Sequence, residues 1–178
     1  VSILLFLVLL LTAVGAKILY DVKETTDEAY KPVARTLALD PVDLKKQEPF
    51  SVVLLGVDTG SLGRTEQGRS DTIMVATVNP ATKKTVLVSI PRDTYGEIVG
   101  HDTMDKINHA YAFGGTAMTI ATIEKLMAIP IDYYVTINMK GIESLVDAVG
   151  EIEVSNPFAF TSEETEFPNG PQFLDGSK

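Results

Sequence analysis

The chain has 178 residues, a formal net charge of −9 and no cysteine. The missing cysteines exclude thiol catalysis, thiolate metal sites and disulfides. The acidic balance, with no run of Lys and Arg, excludes a nucleic-acid partner, because a phosphate backbone is held by clustered cations.

Val1 to Ala16 is almost wholly apolar, interrupted only by Ser2, Thr12 and Gly15. As a helix it would rise about 24 Å, against a hydrocarbon core of about 30 Å. Ile18, Leu19 and Tyr20 extend it past Lys17, whose amine can snorkel while Tyr20 sits at the headgroup level. Residues 1–20 are therefore expected to be a transmembrane anchor, incomplete at the N-terminus because the chain opens on Val and lacks a cationic flank. A cleaved signal peptide is the alternative, on the loose small-residue pattern Ala13-Val14-Gly15-Ala16. Residues 21–49 mix charges with Pro32, Pro41 and Pro49 and read as a partly helical stalk or solvated linker.

About 130 residues follow, enough for one domain with a hydrophobic core and too few for a second. Residues 50–178 are taken as that domain. Strand-length apolar runs lie at 51–58, 71–79 and 84–90, and the first is too continuously apolar for a one-sided sheet, which implies helices on both faces. Lys106 to Phe113 and Thr116 to Ala128 read as helices separated by Gly114-Gly115. Between them and the next helix, Ile131 to Asn138 alternates as a strand. Met139 to Val149 places Ile142, Leu145, Val146 and Val149 on one helical face, with Gly150 as its stop. Glu151 to Val154 is a last short strand, followed by a proline-containing stretch with an acidic cluster at Glu163, Glu164 and Glu166. Hairpin-length links early and helical crossovers later predict an α/β fold with a mixed central β-sheet flanked by helices.

Charges punctuate the strands. Val86-Leu87-Val88-Ser89-Ile90 runs into Pro91-Arg92-Asp93, and a guanidinium and carboxylate are costly at the end of a buried strand unless they serve a site. Asp58 ends one apolar run, and Gly68-Arg69-Ser70-Asp71 opens the next. Asp58 and Asp71 could be hard oxygen ligands for magnesium, with water or phosphate completing the shell, or turn-forming aspartates that cap backbone donors. Arg64, Arg69 and Arg92 could grip phosphate oxygens or form structural Arg-Asp pairs. Lys106 is read as opening a helix whose free amides favour anions, with Asp102 and Asp105 as its possible caps. His101 and His109 read as surface or loop residues, and Gly114-Gly115-Thr116 lacks the lysine and spacing of a P-loop. No Gly-x-Ser-x-Gly elbow or His-Glu-x-x-His motif is present, so anion binding with acidic metal ligands points toward phosphoryl transfer.

Taken together, Leu54-Leu55-Gly56-Val57-Asp58, Gly68-Arg69-Ser70-Asp71-Thr72, Val78-Asn79-Pro80, Ser89-Ile90-Pro91-Arg92-Asp93-Thr94, Lys106-Ile107-Asn108-His109-Ala110-Tyr111, Gly114-Gly115 and Ile129-Pro130-Ile131-Asp132-Tyr133-Tyr134-Val135 resemble the LytR-CpsA-Psr family. The resemblance implies a membrane-anchored phosphotransferase on the extracytoplasmic side of a Gram-positive-type cell membrane. Such an enzyme moves an anionic glycopolymer, of teichoic acid or capsule type, from a polyprenyl-pyrophosphate carrier onto peptidoglycan. Carried over by motif, Asp58 and Asp71 would bind Mg2+, and Arg69 and Arg92 the pyrophosphate. Asp93 would orient Arg92 or assist the acceptor hydroxyl, and Lys106 would contact phosphate. Family members continue into a segment with further arginines, whereas this chain stops at Gly176-Ser177-Lys178, so the domain is expected to be C-terminally truncated. The competing readings are a non-catalytic membrane regulator and a lipid-phosphate binding module.

Overall fold

A computed structural model describes residues 2–33, 42–60, 66–162 and 165–177. Pro41, Arg64, Glu163 and Glu164, all singled out above, lie outside the described residues. The chain divides into two compact units, Val1–Ala34 and Arg35–Lys178.

The first unit contains one helix, α1 (Ser2–Ala29). It does not stop at residue 20 but runs on through Asp21, Lys23, Glu24 and Asp27, taking up the start of the stretch read as a stalk. Among the described residues no helix is long and apolar enough to cross a membrane, so the expected anchor over residues 1–20 is not supported.

In the second unit a single 3-10 turn (Leu44–Lys46) precedes β1 (Phe50–Val57), β2 (Ser70–Asn79) and β3 (Lys84–Ile90). Two short strands follow, β4 (Tyr95–Ile98) and β5 (Thr103–Lys106), then α2 (His109–Met127), β6 (Tyr133–Asn138) and α3 (Met139–Val149). The chain closes with β7 (Ile152–Asn156), β8 (Phe160–Ser162), β9 (Thr165–Phe167) and β10 (Gly170–Leu174).

The central sheet has the order β3-β2-β1-β6. β1 and β2, and β2 and β3, are antiparallel, whereas β1 and β6 are parallel, so the sheet is mixed as expected. The β2–β3 link is short because Asn79 Oδ1 accepts from Thr82 N at 3.1 Å and Pro80 O accepts from Lys83 N at 3.2 Å. The parallel pair instead needs a long crossover, which β4, β5 and α2 supply.

Val53, Leu55 and Val57 of β1 are buried with Ile73 and Val75 of β2 and Ile90 of β3, and Ile98, Ile107, Ala110, Ile120, Ile123 and Ile131 join them in the core. Val52, Leu54 and Gly56 are only half-buried, so β1 is not enclosed equally on both faces as its composition suggested. The alternation of burial follows from the period of two along a strand.

Local periodicity located α3 correctly: Asn138 caps it by accepting from Gly141 N at 2.9 Å, and Gly150 (φ 84°) ends it. Its apolar residues Ile142, Leu145 and Val149 are nonetheless exposed. The two helices predicted on either side of Gly114-Gly115 are the two halves of α2, separated by non-helical backbone at Gly114 (φ −143°) and Gly115 (φ 63°). The strand predicted from Ile131 begins at Tyr133, with Ile131 buried ahead of it and Tyr133 and Val135 exposed. The short strand predicted over Glu151 to Val154 is β7, whereas its partner β10 and the β8–β9 hairpin were not foreseen, because each depends on pairing with residues outside its own segment.

Candidate functional site

The register brings the C-terminal ends of β1, β3 and β6 and the N-terminal end of β2 to one edge of the sheet. There the β1–β2 ladder slips: Gly56 faces Thr72 while Val57 faces Ser70, leaving Asp71 as the extra residue of a β-bulge. A bulge re-aims a side chain, and Asp71 Oδ1 meets Arg92 Nη1 at 3.0 Å.

Arg92 and Asp93 are the central residues of a turn that begins at Pro91, whose carbonyl accepts from Thr94 N at 2.9 Å and from Thr94 Oγ1 at 2.7 Å. The turn is also held from the start of α2, since Ile107 N donates to Thr94 O at 2.9 Å and Asn108 N to Arg92 O at 3.3 Å. Lys106 Nζ donates to Asp93 Oδ1 at 2.7 Å, and Arg92 Nε lies 4.0 Å from Asp93 Oδ2. Asp71, Arg92, Asp93 and Lys106 thus form a row of alternating charge. The hydrogen bond from Lys106 holds the Asp93 carboxyl below its ordinary pKa, helped by the charges of Lys106, Arg92 and His109.

The side chains of Arg92 and Asp93 are 51% and 57% exposed, not buried. β3 is an edge strand with Val86, Leu87 and Val88 open to solvent, so water meets most of the desolvation cost that the sequence implied. Lys106 does not open a helix but ends β5, and α2 starts at His109 with Asn108 as its N-cap residue. Asp105 caps no helix either. Its carboxylate accepts from Lys106 N and from His109 Nδ1, each at 2.7 Å, and the His109 bond chiefly lowers its pKa.

Asp58 takes a capping position. Its Oδ1 accepts from Arg69 N at 2.6 Å, and its own N–H donates to Arg69 O at 3.3 Å. Thr59 Oγ1 accepts from Gly68 N at 3.1 Å. A Cβ on Gly68 would land on Asp58 Oδ1, so this approach requires glycine. The Arg69 side chain is exposed beside the bulge.

Asn138, which sequence reasoning missed, donates through Nδ2 to Thr59 O at 3.3 Å and so ties the end of β6 to the segment after Asp58. Gln67, also missed, donates through Nε2 to Tyr111 O and lies against Gly115. Gln67 carries no local pattern that would have marked it, whereas Asn138 directly precedes the predicted α3, where an asparagine is a cap signal. His101 stacks on Phe113 with ring centroids 4.1 Å apart, and His109 meets the same ring edge-on. Among the described residues no group of three or more His, Asp or Glu side chains is placed to hold a metal ion. Asp58 and Asp71 still fit magnesium by donor chemistry, since two carboxylates at neighbouring strand ends suit an ion that keeps waters and phosphates in its shell.

Residues 16–178 match the LytR_cpsA_psr family. The chain belongs to that family. It is 50% identical over 177 residues to the polyisoprenyl-teichoic acid–peptidoglycan teichoic acid transferase TagU of Enterococcus faecalis, covering 99% of this chain and 58% of that protein. The crystal structure of Bacillus subtilis TagU is 47% identical with a TM-score of 0.57, covering 73% of this chain and 52% of the other. The family protein TagT (YwtF), solved with bound octaprenyl pyrophosphate lipid, is 30% identical with a TM-score of 0.65, covering 83% of this chain and 62% of the other. This LytR-CpsA-Psr chain therefore spans little more than half the length of the relatives it matches.

Proposed function

We propose that the chain acts as a transferase that moves an anionic glycopolymer, of teichoic acid or capsule type, from a polyprenyl-pyrophosphate carrier to peptidoglycan. The observation that carries this reading is the ion pair of Arg92 with Asp71 at the bulge, which puts a guanidinium at the sheet edge where Asp58 and Arg69 also converge. The bound lipid of TagT and the transferase name of TagU support it.

Arg69 and Arg92 would bind the pyrophosphate oxygens, since guanidinium forks suit them by bidentate hydrogen bonding. Asp58 and Asp71 would hold Mg2+, which when bound offsets pyrophosphate charge. The acceptor sugar hydroxyl would form the new O–P bond at the phosphorus nearest the glycopolymer as the bond to the polyprenyl phosphate breaks, its proton passing to the departing phosphate. Lys106 would meet the phosphate charge that develops on the leaving group. Asp93, made a weaker base by Lys106, is better suited to orienting Arg92 than to taking the hydroxyl proton.

Because the carrier is a membrane lipid, we place the domain at the extracytoplasmic face of a Gram-positive-type cell membrane. The exposed apolar side chains of α1, among them Leu5, Leu11 and Leu19, support membrane association of that unit. The test is transfer from a purified polyprenyl-pyrophosphate glycan to peptidoglycan, with and without magnesium. Magnesium-dependent product with release of polyprenyl phosphate is expected. Lipid binding without any turnover would reduce the chain to a binding module.

A further inference from the structure

We propose that the solvent face of the β4–β5 hairpin, centred on Tyr95, is a stacking platform for a sugar ring of the acceptor glycan. The inference rests on the transferase reading and names the part of the surface that would receive the acceptor.

Tyr95 pairs across the hairpin with Lys106, and Glu97 pairs with Met104. Directly paired residues, and residues two apart on one strand, share a face, so Tyr95, Glu97, Met104 and Lys106 form one surface. The opposite face is the packed one: Gly96 and Ile98 are buried, and a Cβ on Gly96 would touch Ile107 and Leu126. The hairpin is anchored to α2, since Val99 N donates to Thr122 Oγ1 at 3.2 Å and Lys125 Nζ meets Glu97 Oε1 at 2.6 Å. Tyr95 is nevertheless 66% exposed and Met104 52% exposed. An aromatic ring held open to water on an anchored hairpin is suited to recognition rather than to the core.

Its position decides what it would recognise. Thr94, the residue before Tyr95, closes the turn that carries Arg92 and Asp93. Lys106, beside Tyr95, donates to Asp93 at 2.7 Å. The ring therefore borders the row of charges assigned to the pyrophosphate. Its flanks are an ammonium and a carboxylate, which suits a ligand with an apolar face and a hydroxylated rim, as a pyranose has. A polyprenyl tail would need apolar walls on several sides, and Glu97 and Lys106 deny them.

The experiment compares the full chain with Tyr95→Ala and Tyr95→Phe, using a soluble tetrasaccharide of alternating N-acetylglucosamine and N-acetylmuramic acid as probe. Calorimetry reads tetrasaccharide affinity, a second titration reads polyprenyl-pyrophosphate affinity, and the transfer assay reads the KM for acceptor against kcat. Tyr95→Ala is expected to weaken tetrasaccharide binding about 10-fold and to raise the acceptor KM similarly, with kcat and lipid affinity within about 2-fold. Tyr95→Phe, which keeps the ring, should bind like the parent. Unchanged tetrasaccharide binding in Tyr95→Ala overturns the platform, as does equal loss in Tyr95→Phe or a loss confined to the lipid. A parent chain that does not bind the tetrasaccharide also overturns it, whatever the transfer result. A parent that binds the tetrasaccharide through Tyr95 yet transfers nothing supports the platform and overturns the transferase reading alone.

Discussion

Lys106 Nζ donates to Asp93 Oδ1 at 2.7 Å, and this bond ties the end of β5 to the turn that follows β3. The backbone just beyond Lys106 grips the same turn, through Ile107 N to Thr94 O and Asn108 N to Arg92 O. The two charged residues of the turn are thus positioned from outside their own strand, although both stay half exposed. Their charge state is where this arrangement can be read directly.

Asp93 has its pKa lowered from 3.8, chiefly by the hydrogen bond from Lys106. A carboxylate with a depressed folded pKa contributes stability that is present above its unfolded pKa and lost as pH falls through the folded value. The Asp93–Lys106 pair should therefore be intact at neutral pH and dissolve only below the ordinary carboxylate range. A carboxyl-carbon NMR titration is expected to place the Asp93 midpoint below 3.8 in the parent. In Lys106→Ala the midpoint should rise toward that value, and an identical midpoint in both proteins would refute the assignment.

Arg92→Ala should separate function from folding. The side chain is half exposed, so its loss is expected to change stability by no more than about 0.5 kcal/mol. Transfer should fall by about 100-fold or more, because a charge-stabilising donor is removed from the developing phosphate charge. Thermal melting and the transfer assay on one preparation check both halves, and full activity with an unchanged melt would remove Arg92 from the proposed mechanism.

Gly68→Ala tests the Asp58 cradle. The added Cβ would occupy the place of Asp58 Oδ1, so the carboxylate must leave the Arg69 amide it accepts from at 2.6 Å. Denaturant unfolding is expected to show a loss of about 1–3 kcal/mol. If Asp58 also contributes to holding magnesium, the magnesium concentration giving half-maximal transfer should rise in this variant. Chelation of divalent ions should abolish transfer in the parent, and added magnesium should restore it.

Asp132→Ala is the matching stability probe at the other end of the sheet. Asp132 Oδ2 accepts from Ser51 N at 2.8 Å and Ser51 Oγ at 3.1 Å, while Asp132 N donates to Ser51 O at 3.1 Å. Ser51 is buried, so losing these acceptors should cost about 1–3 kcal/mol. Transfer per folded molecule should stay within about 2-fold of the parent, because this clamp joins the starts of β1 and β6, away from the edge that carries Arg92. A large loss of turnover at unchanged stability would contradict that separation.

Sequence alone determined what depends on near neighbours. The runs that became β1, β2 and β3, the amphipathic spacing of α3 ahead of its Gly150 stop, and the break at Gly114-Gly115 are set by local periodicity and backbone freedom. The mixed sheet followed from short links early and a long crossover later. The charged residues at the strand ends, Asp58, Arg69, Asp71, Arg92 and Asp93, could be picked out, and their blocks matched the family.

How those residues meet is a matter of strand pairing. Asp71 reaches Arg92 because a register slip between β1 and β2 frees it from the ladder, and no property of its own segment announces that slip. Lys106 looked like a helix opening but ends a strand, because pairing with Tyr95 overrides its local preference and aims its amine at Asp93. The Arg92-Asp93 pair looked desolvated because β3 is apolar, yet β3 lies at the sheet edge and its charges stay in water. Strand pairing joins residues far apart in the chain, so register, edge position and the face each side chain takes are properties of the assembled sheet and not of any one strand.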